Sequence, residues 1–319
     1  MECSKCDHDA VIHQAYSGSH LCEPHFIESV ERRVKRRIRK DGLVDGATPE
    51  SPDRWVIGLS GGKDSVVLAS ILDDTFGRDP RIELIGLTIH EGIEGYRDES
   101  LEACTELTES LELHHEIVTY VDEFDLRMDE VVEDDPAGMA ACAYCGVFRR
   151  DILERYADDL DADKLLTGHN LDDEAQTALM NLFEGDVQQM AKHWDASLAP
   201  FDDRSDAPFI PRAKPLRDVP EKEVALYARL AGLPAHIATC PHSSEAYRGE
   251  IQELLLDMES RHPGTRHSIM AGYEELADLA AERYKRNTQT TLSSCERCGA
   301  KTTRDVCRKC ALVEAVNAD

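Results

Sequence analysis

Trp55-Val56-Ile57-Gly58-Leu59-Ser60-Gly61-Gly62-Lys63-Asp64-Ser65 decides how this chain folds. A β-branched and aromatic run leads into small residues. An apolar-periodic stretch with Val66, Val67, Leu68, Ile71 and Leu72 follows. The pattern predicts a strand, a glycine turn and a helix. Such a turn aims several backbone N–H groups at one point on the positive end of the helix. The glycines let an anion come close and Lys63 adds a full charge, so the expected occupant is phosphate or pyrophosphate. This is not the Walker loop, which needs a glycine where Ile57 stands and Ser or Thr where Asp64 stands. A tight connection with no ligand is the plain alternative. Lys63, Asp64 and the two flanking serines argue against it.

Working outward, strand-like runs fall at Trp55–Leu59, Ile82–His90, His115–Val121 and Lys164–His169. Helical periodicity falls at Ser65–Phe76, Tyr96–Leu111, Gly146–Asp159 and Asp172–Phe183, then at Pro220–Ala231, Tyr247–Glu259 and Pro263–Arg286. Alternation of this kind predicts an α/β fold, a parallel sheet with helices on both faces. Ligands of such sheets bind beyond the carboxyl ends of the strands. Ser60–Ser65, His90-Glu91 and Gly168-His169-Asn170-Leu171-Asp172-Asp173 all fall there. Asp41–Pro52, rich in Gly, Asp and Pro, reads as a linker, Asp202–Pro208 as a loop and Asn287–Ser294 as a second break. The expected division is residues 1–27, 28–50, 51–288 and 289–319: a finger, a basic helix with linker, the sheet domain and a second finger.

Eleven cysteines in a chain without a signal-like start point to metal rather than disulfides. Cys3-x2-Cys6 and Cys22-x2-His25 have the form of a zinc knuckle, with His8, His13 and His20 competing for the fourth place. Cys295-x2-Cys298 and Cys307-x2-Cys310 have the form of an all-cysteine site. Closed shells of four ligands read as structural, and short termini need such staples to fold. Cys104 sits on an amphipathic helix as a small buried hydrophobe. Cys142-x2-Cys145 and Cys240 make an incomplete tetrahedron. Three chemistries are open to it: an iron–sulfur cluster with one iron free of protein ligands, a redox pair carrying a persulfide, or a third zinc completed by His242.

The net charge is −27, from 63 acidic and 36 basic residues. An acidic coat of this kind suits a protein working in high salt, where self-repulsion is screened. No run approaches a membrane span and the N-terminus lacks a secretory pattern, so a cytoplasmic location is expected. Against the acidic background, Arg32-Arg33-Val34-Lys35-Arg36-Arg37-Ile38-Arg39-Lys40 stands out. Val30, Val34 and Ile38 give it a packing face, and the cations are expected to meet phosphate backbone.

Ser60–Ser65 resembles the PP-loop of ATP pyrophosphatases, which split ATP between its α and β phosphates. The two fingers, the three central cysteines, Glu91-Gly92-Ile93 before Gly95-Tyr96-Arg97, Arg149-Arg150, Gly168-His169-Asn170, Lys214-Pro215-Leu216 and Cys240-Pro241 extend the likeness. Over its whole length the chain resembles the TtuA/Ncs-type family of tRNA 2-thiouridine synthetases. His90 departs from it, since an acidic residue is expected before Glu91. The resemblance implies adenylation of the C2 oxygen of a tRNA uridine and its replacement by sulfur, at the wobble position or in the T-loop, and the salt-adapted composition favours the wobble position. It implies ATP bound by Leu59, Ser60, Gly61, Gly62, Lys63, Asp64, Ser65, Ile89, Arg149, Gly168 and Asp173, with Mg²⁺ on Asp64 or Asp173. It further implies a [4Fe–4S] cluster on Cys142, Cys145 and Cys240, two Zn²⁺ on the fingers, and a ubiquitin-like sulfur carrier ending in a thiocarboxylate. A homodimer is also implied. Lys63, Asp64, Asp173, Cys142 and Cys240 would carry the chemistry. Two rivals stand beside this. A lysidine-type PP-loop ligase would not need the central cysteines. A non-catalytic zinc-finger protein binding tRNA would not turn over ATP.

Overall fold

The computed structural model describes residues 1–191, 209–243, 246–287 and 293–317. The expected loop Asp202–Pro208 and the expected border at 288/289 lie outside them. The N-terminus forms a hairpin, β1 (Ile12–Gln14) and β2 (Ser19–Leu21), then helix α1 (Glu23–Lys40). A parallel sheet follows, built from β3 (Asp53–Leu59), β4 (Ile82–His90), β5 (His114–Thr119), β6 (Lys164–Leu166) and β7 (Arg212–Ala213). The strands lie in the order β5-β4-β3-β6-β7 and every pair is parallel. The connecting helices are α2 (Lys63–Phe76), α3 (Tyr96–Ser110), the short α4 (Tyr120–Phe124) and α5 (Met128–Asp134), then α6 (Ala141–Asp159) and α7 (Leu171–Phe183).

The α/β expectation holds, and alternation along β3 explains why both faces are covered. Trp55, Ile57 and Leu59 join one core with Val30 and Val34 of α1, Val66 to Leu72 of α2, and Val224 and Tyr227. Val56 points the other way, into a core with Ile85, Leu87, Phe148, Ile152 and Leu312. Successive side chains of a strand face opposite sides, so one run of apolar residues feeds two cores. Cutting Ile57 to Ala would cost about 2–5 kcal/mol. A third cluster joins α7 to the helices Ala246–Arg261 and Thr265–Asn287.

Strand order 3-2-1-4-5 places the reversal of the winding between β3 and β6, where an open sheet presents its crevice. The loops after those two strands are Ser60–Gly62 and Thr167–Asn170. Several boundaries differ from expectation. The third strand stops at Thr119, because Thr119 Oγ1 accepts from Asp122 N at 3.0 Å and starts α4. The fourth stops at Leu166, short of His169. Helix α6 begins at Ala141, so Cys142 and Cys145 lie on its first turns and not before it.

Both fingers are fastened to this domain. Helix α1 carries His25 and also packs Val30, Val34 and Ile38 into the main core, so it runs through the expected border at 27/28. Gln14 Nε2 and Tyr16 OH donate to Glu223 at 2.9 and 2.7 Å, and Arg33 pairs with the same carboxylate. At the other end, helix Arg308–Val316 buries Leu312 against α6, and Lys309 Nζ lies 3.7 Å from Asp151 Oδ1. The basic run is largely neutralised from within. Arg32, Lys35, Arg37 and Lys40 pair with Glu28, Glu31, Asp218 and Glu274. Arg36 and Arg39 are exposed and make no ion pair with another described residue. On the outer side of the helix they stand beside Arg32 and Lys40, which stay largely exposed in their surface pairs. No helix among the described residues is long and apolar enough to cross a membrane.

Candidate functional site

Helix α2 opens at Gly62, whose missing side chain leaves the helix start uncapped. Its first amides therefore have no internal partner and face the mouth of the crevice. Ser65 Oγ donates to Gly62 O (3.0 Å) and accepts from Ser60 N (3.1 Å), which closes the loop on itself. Gly61 has φ +77°, and a Cβ there would lie 2.2 Å from Ser100 O. A Cβ on Gly168 would lie 2.8 Å from both Asp64 C and Ser65 N. Two glycines thus let the loop lie against α3 and against the end of β6 at once.

Lys63 Nζ reaches Asp64 Oδ2 at 3.1 Å and Glu221 Oε1 at 2.9 Å. Burial would lower its pKa, and the two carboxylates override that and raise it. Asn170 caps α7 by accepting from Asp172 N and Asp173 N at 2.9 and 3.2 Å, while its Nδ2 donates to Asp64 Oδ1 at 2.9 Å. Burial, with the nearby Asp64 charge adding to it, pushes Asp173 up to about 6 against the opposing bond from Asn170 N. Lys63, Asp64 and Asp173 therefore share one spot. Sequence reasoning missed Glu221 and Asn170 there, although Asn170 lies in a motif it singled out.

Glu91 is fully buried and receives two guanidinium groups. Arg97 pairs with both its oxygens, and Arg149 Nε donates at 3.0 Å. Burial works against the carboxylate, but the Arg149 and Arg97 charges hold its pKa below the ordinary value. Arg97 also donates to Ser60 O (3.2 Å) and Ile89 O (3.1 Å), so the PP-loop is tied to the end of β4. Arg149, expected on a phosphate, is engaged by Glu91 with 46% of its side chain exposed. His90 accepts from Gly92 N at Nδ1 (3.2 Å), so Nε2 carries the proton toward Asp98 Oδ1 (3.2 Å).

Cys142 and Cys145 project from one face of α6, and Cys145 and Cys240 pack against the same core. Burial pushes Cys145 up to about 12, with Arg149 opposing and the charges of Glu91, Cys142 and Cys240 adding. The three sulfurs are thus in electrostatic reach of one another and of Arg149. Among the described residues, groups of Cys, His, Asp or Glu with every ligand atom within 4.8 Å occur twice, at the two fingers. The central trio is more widely spaced than one ion requires. His242, the candidate fourth zinc ligand, instead bonds Asp129 Oδ1 at 2.5 Å. Thiolates on separate irons of one cluster stand farther apart than thiolates on one tetrahedral ion, so this donor set suits an iron–sulfur group.

The fingers do fit single ions. Metal–sulfur bonds of about 2.3 Å give a tetrahedral edge of about 3.8 Å. Cys6 and Cys22 Sγ are 3.6 Å apart, and Cys298 and Cys307 Sγ are 3.7 Å apart. His25 Nδ1 lies 3.2 to 3.5 Å from Cys22, Cys3 and Cys6, which settles the competition among histidines by geometry. His13 and His20 stack on each other at 4.2 Å instead, and His8 touches only Cys6 of the set. The Cys307 amide, donating to Cys295 Sγ at 3.2 Å, helps bring that thiol down to about 6, ready to act as a ligand.

Comparison with known proteins places this geometry. Residues 27–237 match the family model described as a PP-loop domain, and residues 2–27 match the N-terminal LIM domain of the 2-thiouridine synthetase TtuA. The tRNA 2-thiolation protein NcsA of Haloferax volcanii is 71% identical over 100% of both chains. Cytoplasmic tRNA 2-thiolation protein 1 of Danio rerio is 36% identical, with 99% of this chain and 89% of that one covered. A solved structure, the U34-tRNA thiolase NcsA from Methanococcus maripaludis with its [4Fe–4S] cluster, superposes with a TM-score of 0.80 at 34% identity. That match covers 98% of this chain and 95% of that one.

Proposed function

From the premise that the chain belongs to the PP-loop family of tRNA 2-thiolation enzymes, we propose that it activates the C2 oxygen of the wobble uridine with ATP and replaces it by sulfur. A uracil C2 carbonyl is a weak electrophile and oxide a poor leaving group. Transfer of the adenylyl group makes AMP the leaving group and pyrophosphate the first product. The amides of Gly62 to Ser65 and the Lys63 ammonium receive the pyrophosphate and stabilise its developing charge. To do so, Lys63 exchanges Glu221 for phosphate oxygens. Asp64 and Asp173 would hold Mg²⁺, whose charge would offset their mutual repulsion and favour the ionised form of Asp173. Leu59, Ile89 and Gly168 border the nucleotide, and Arg149 reaches the α-phosphate if it leaves Glu91.

A [4Fe–4S] cluster bound by Cys142, Cys145 and Cys240 would supply an iron free of protein ligands, open to sulfide. The chain's own part is to hold those thiolates beside the nucleotide cradle. One observation carries the reading: the PP-loop is bonded to both sulfur-bearing segments. Arg97 joins Ser60 to Glu91 and so to Arg149, one turn beyond Cys145. His236 N–H, four residues before Cys240, donates to Gly61 O at 2.9 Å.

The name of the solved neighbour supports position 34 over the T-loop. The fingers take one structural Zn²⁺ each. A ubiquitin-like sulfur carrier, a homodimer and a cytoplasmic setting follow from the family resemblance. Anaerobic purification should give about four irons and two zincs per chain, by the ligand counts of each site. With sulfide as sulfur source, Cys240→Ser should abolish thiolation and keep ATP affinity. Equal loss of both, or three zincs without iron, overturns the assignment. Mapping the thiolated nucleotide in the tRNA separates the two positions.

A further inference from the structure

The segment Ala235–Cys240 is fastened at both ends and bare in the middle. At one end the His236 amide bonds the PP-loop. Its ring packs edge-on against Tyr96, with centroids 5.4 Å apart and planes at 70°, and Nδ1 lies 3.2 Å from Glu99 Oε2. Only 12% of that side chain is exposed. At the other end Cys240 packs against the core, and its carbonyl accepts from Ser243 N and Oγ at 3.0 and 2.7 Å. Between them Ile237, Ala238 and Thr239 are all exposed. Ile237 is 76% exposed, more than any other large apolar residue among the described residues except Met1.

A lone exposed isoleucine carries no message. Its address does. Four residues of extended chain reach at most about 14 Å, so the phosphate cradle and the sulfur ligand lie within that distance along this segment. On the thiolation reading above, one atom of the base bonds first through oxygen to the α-phosphorus and then to sulfur. The base must then lie between the two anchors, against residues 237–239. Bases taken out of an RNA loop commonly rest on apolar or aromatic side chains.

We propose that Ile237 is a substrate-contact residue and that Ile237-Ala238-Thr239 is the platform on which the target pyrimidine lies. The occupant is an unstacked uracil presented by the tRNA. The inference rests on the proposed function, and the test separates the two. Anaerobically prepared holoprotein with ATP, Mg²⁺, sulfide and tRNA is assayed as wild type, Ile237→Asp and Ile237→Leu. The Asp variant should lose at least tenfold in thiolation rate at saturating tRNA. Its affinities for ATP and for whole tRNA should stay within about twofold, because phosphate contacts dominate the latter. The Leu variant should recover at least half the rate. In wild type, tRNA carrying 4-thiouridine at the target position should crosslink to the peptide spanning 235–240. An Asp variant as fast as wild type, or a crosslink elsewhere, overturns the platform while the function stands. A wild type that neither releases pyrophosphate nor thiolates tRNA overturns the function and the platform with it.

Discussion

Replacing Glu91 by Gln keeps the shape of the side chain and removes the carboxylate that faces the Arg97 and Arg149 guanidinium groups. Wild-type Glu91 accepts from Arg97 Nη2 at 2.6 Å and from Arg149 Nε at 3.0 Å, with a further bond from Arg97 Nε. Removing one partner of a buried ion pair costs about 3–5 kcal/mol. Arg149 is nearly half exposed and regains water, whereas Arg97 is 6% exposed and does not. The lower end, about 3 kcal/mol, is therefore expected. Because the shift per kcal/mol shrinks with size, to about 1.5–2 °C for a chain of this length, the melting temperature should fall by about 5 °C. Arg97 also holds Ser60 O, so ATP affinity should fall by about tenfold, or ~1.4 kcal/mol. The pH dependence has a definite sign. A carboxylate with a depressed folded pKa stabilises above its unfolded value, about 4.3, and loses that contribution as pH falls through the folded one. The gap between wild type and Glu91→Gln should thus start to narrow below about pH 4.3 and close as pH falls through the lower, folded value. Thermal melts across pH, with calorimetric titration of ATP at pH 7, test this. A variant melting within 2 °C of wild type at neutral pH would refute the reasoning, as would a gap that persists in acid.

Other outcomes follow from the same geometry. Gly168→Ala places a methyl against the backbone of Asp64 and Ser65, so ATP affinity should drop more than tenfold by titration, with about 1–3 kcal/mol lost in urea unfolding. Asp173, at about 6 in the fold and about 3.9 unfolded, binds its proton more tightly when native. Its contribution to the metal-free protein is present below the unfolded value and is lost as pH rises toward 6. Urea midpoints without Mg²⁺ should decline over that window, and Asp173→Asn should flatten the slope. Cys310→Ser should release the second zinc and loosen the last helix from α6. Iron per chain should then fall by half or more while ATP affinity holds, and full iron retention would count against that coupling.

What could be seen before the structure was what lies close in sequence. β3 and β4 are continuous apolar runs because both their faces are buried, and the glycine turn after β3 follows from local backbone needs alone. Strand β7 has two residues, too few for any period to register. The pattern carries the third strand past its end because Val118 and Val121 look alike, and only the structure shows Thr119 capping a helix. The start of α6 is invisible in the sequence because Ala140 to Tyr144 carry no capping residue and no apolar period. Partners across the fold stayed hidden: Lys63 meets Glu221 across 158 positions, and Glu91 meets Arg149 across 58. The partners of the basic run stayed hidden for the same reason, since Asp218, Glu223 and Glu274 come from far along the chain to meet it.

The last helix has a consequence for the order in which the molecule is made. Leu312 closes the apolar face of α6, yet it leaves the ribosome about 170 residues after Cys142. Until then the side of that core which Leu312 covers stays open to solvent. On the proposed assignment of a cluster to Cys142, Cys145 and Cys240, a core completed only by the last helix would make cluster loading a late event of maturation.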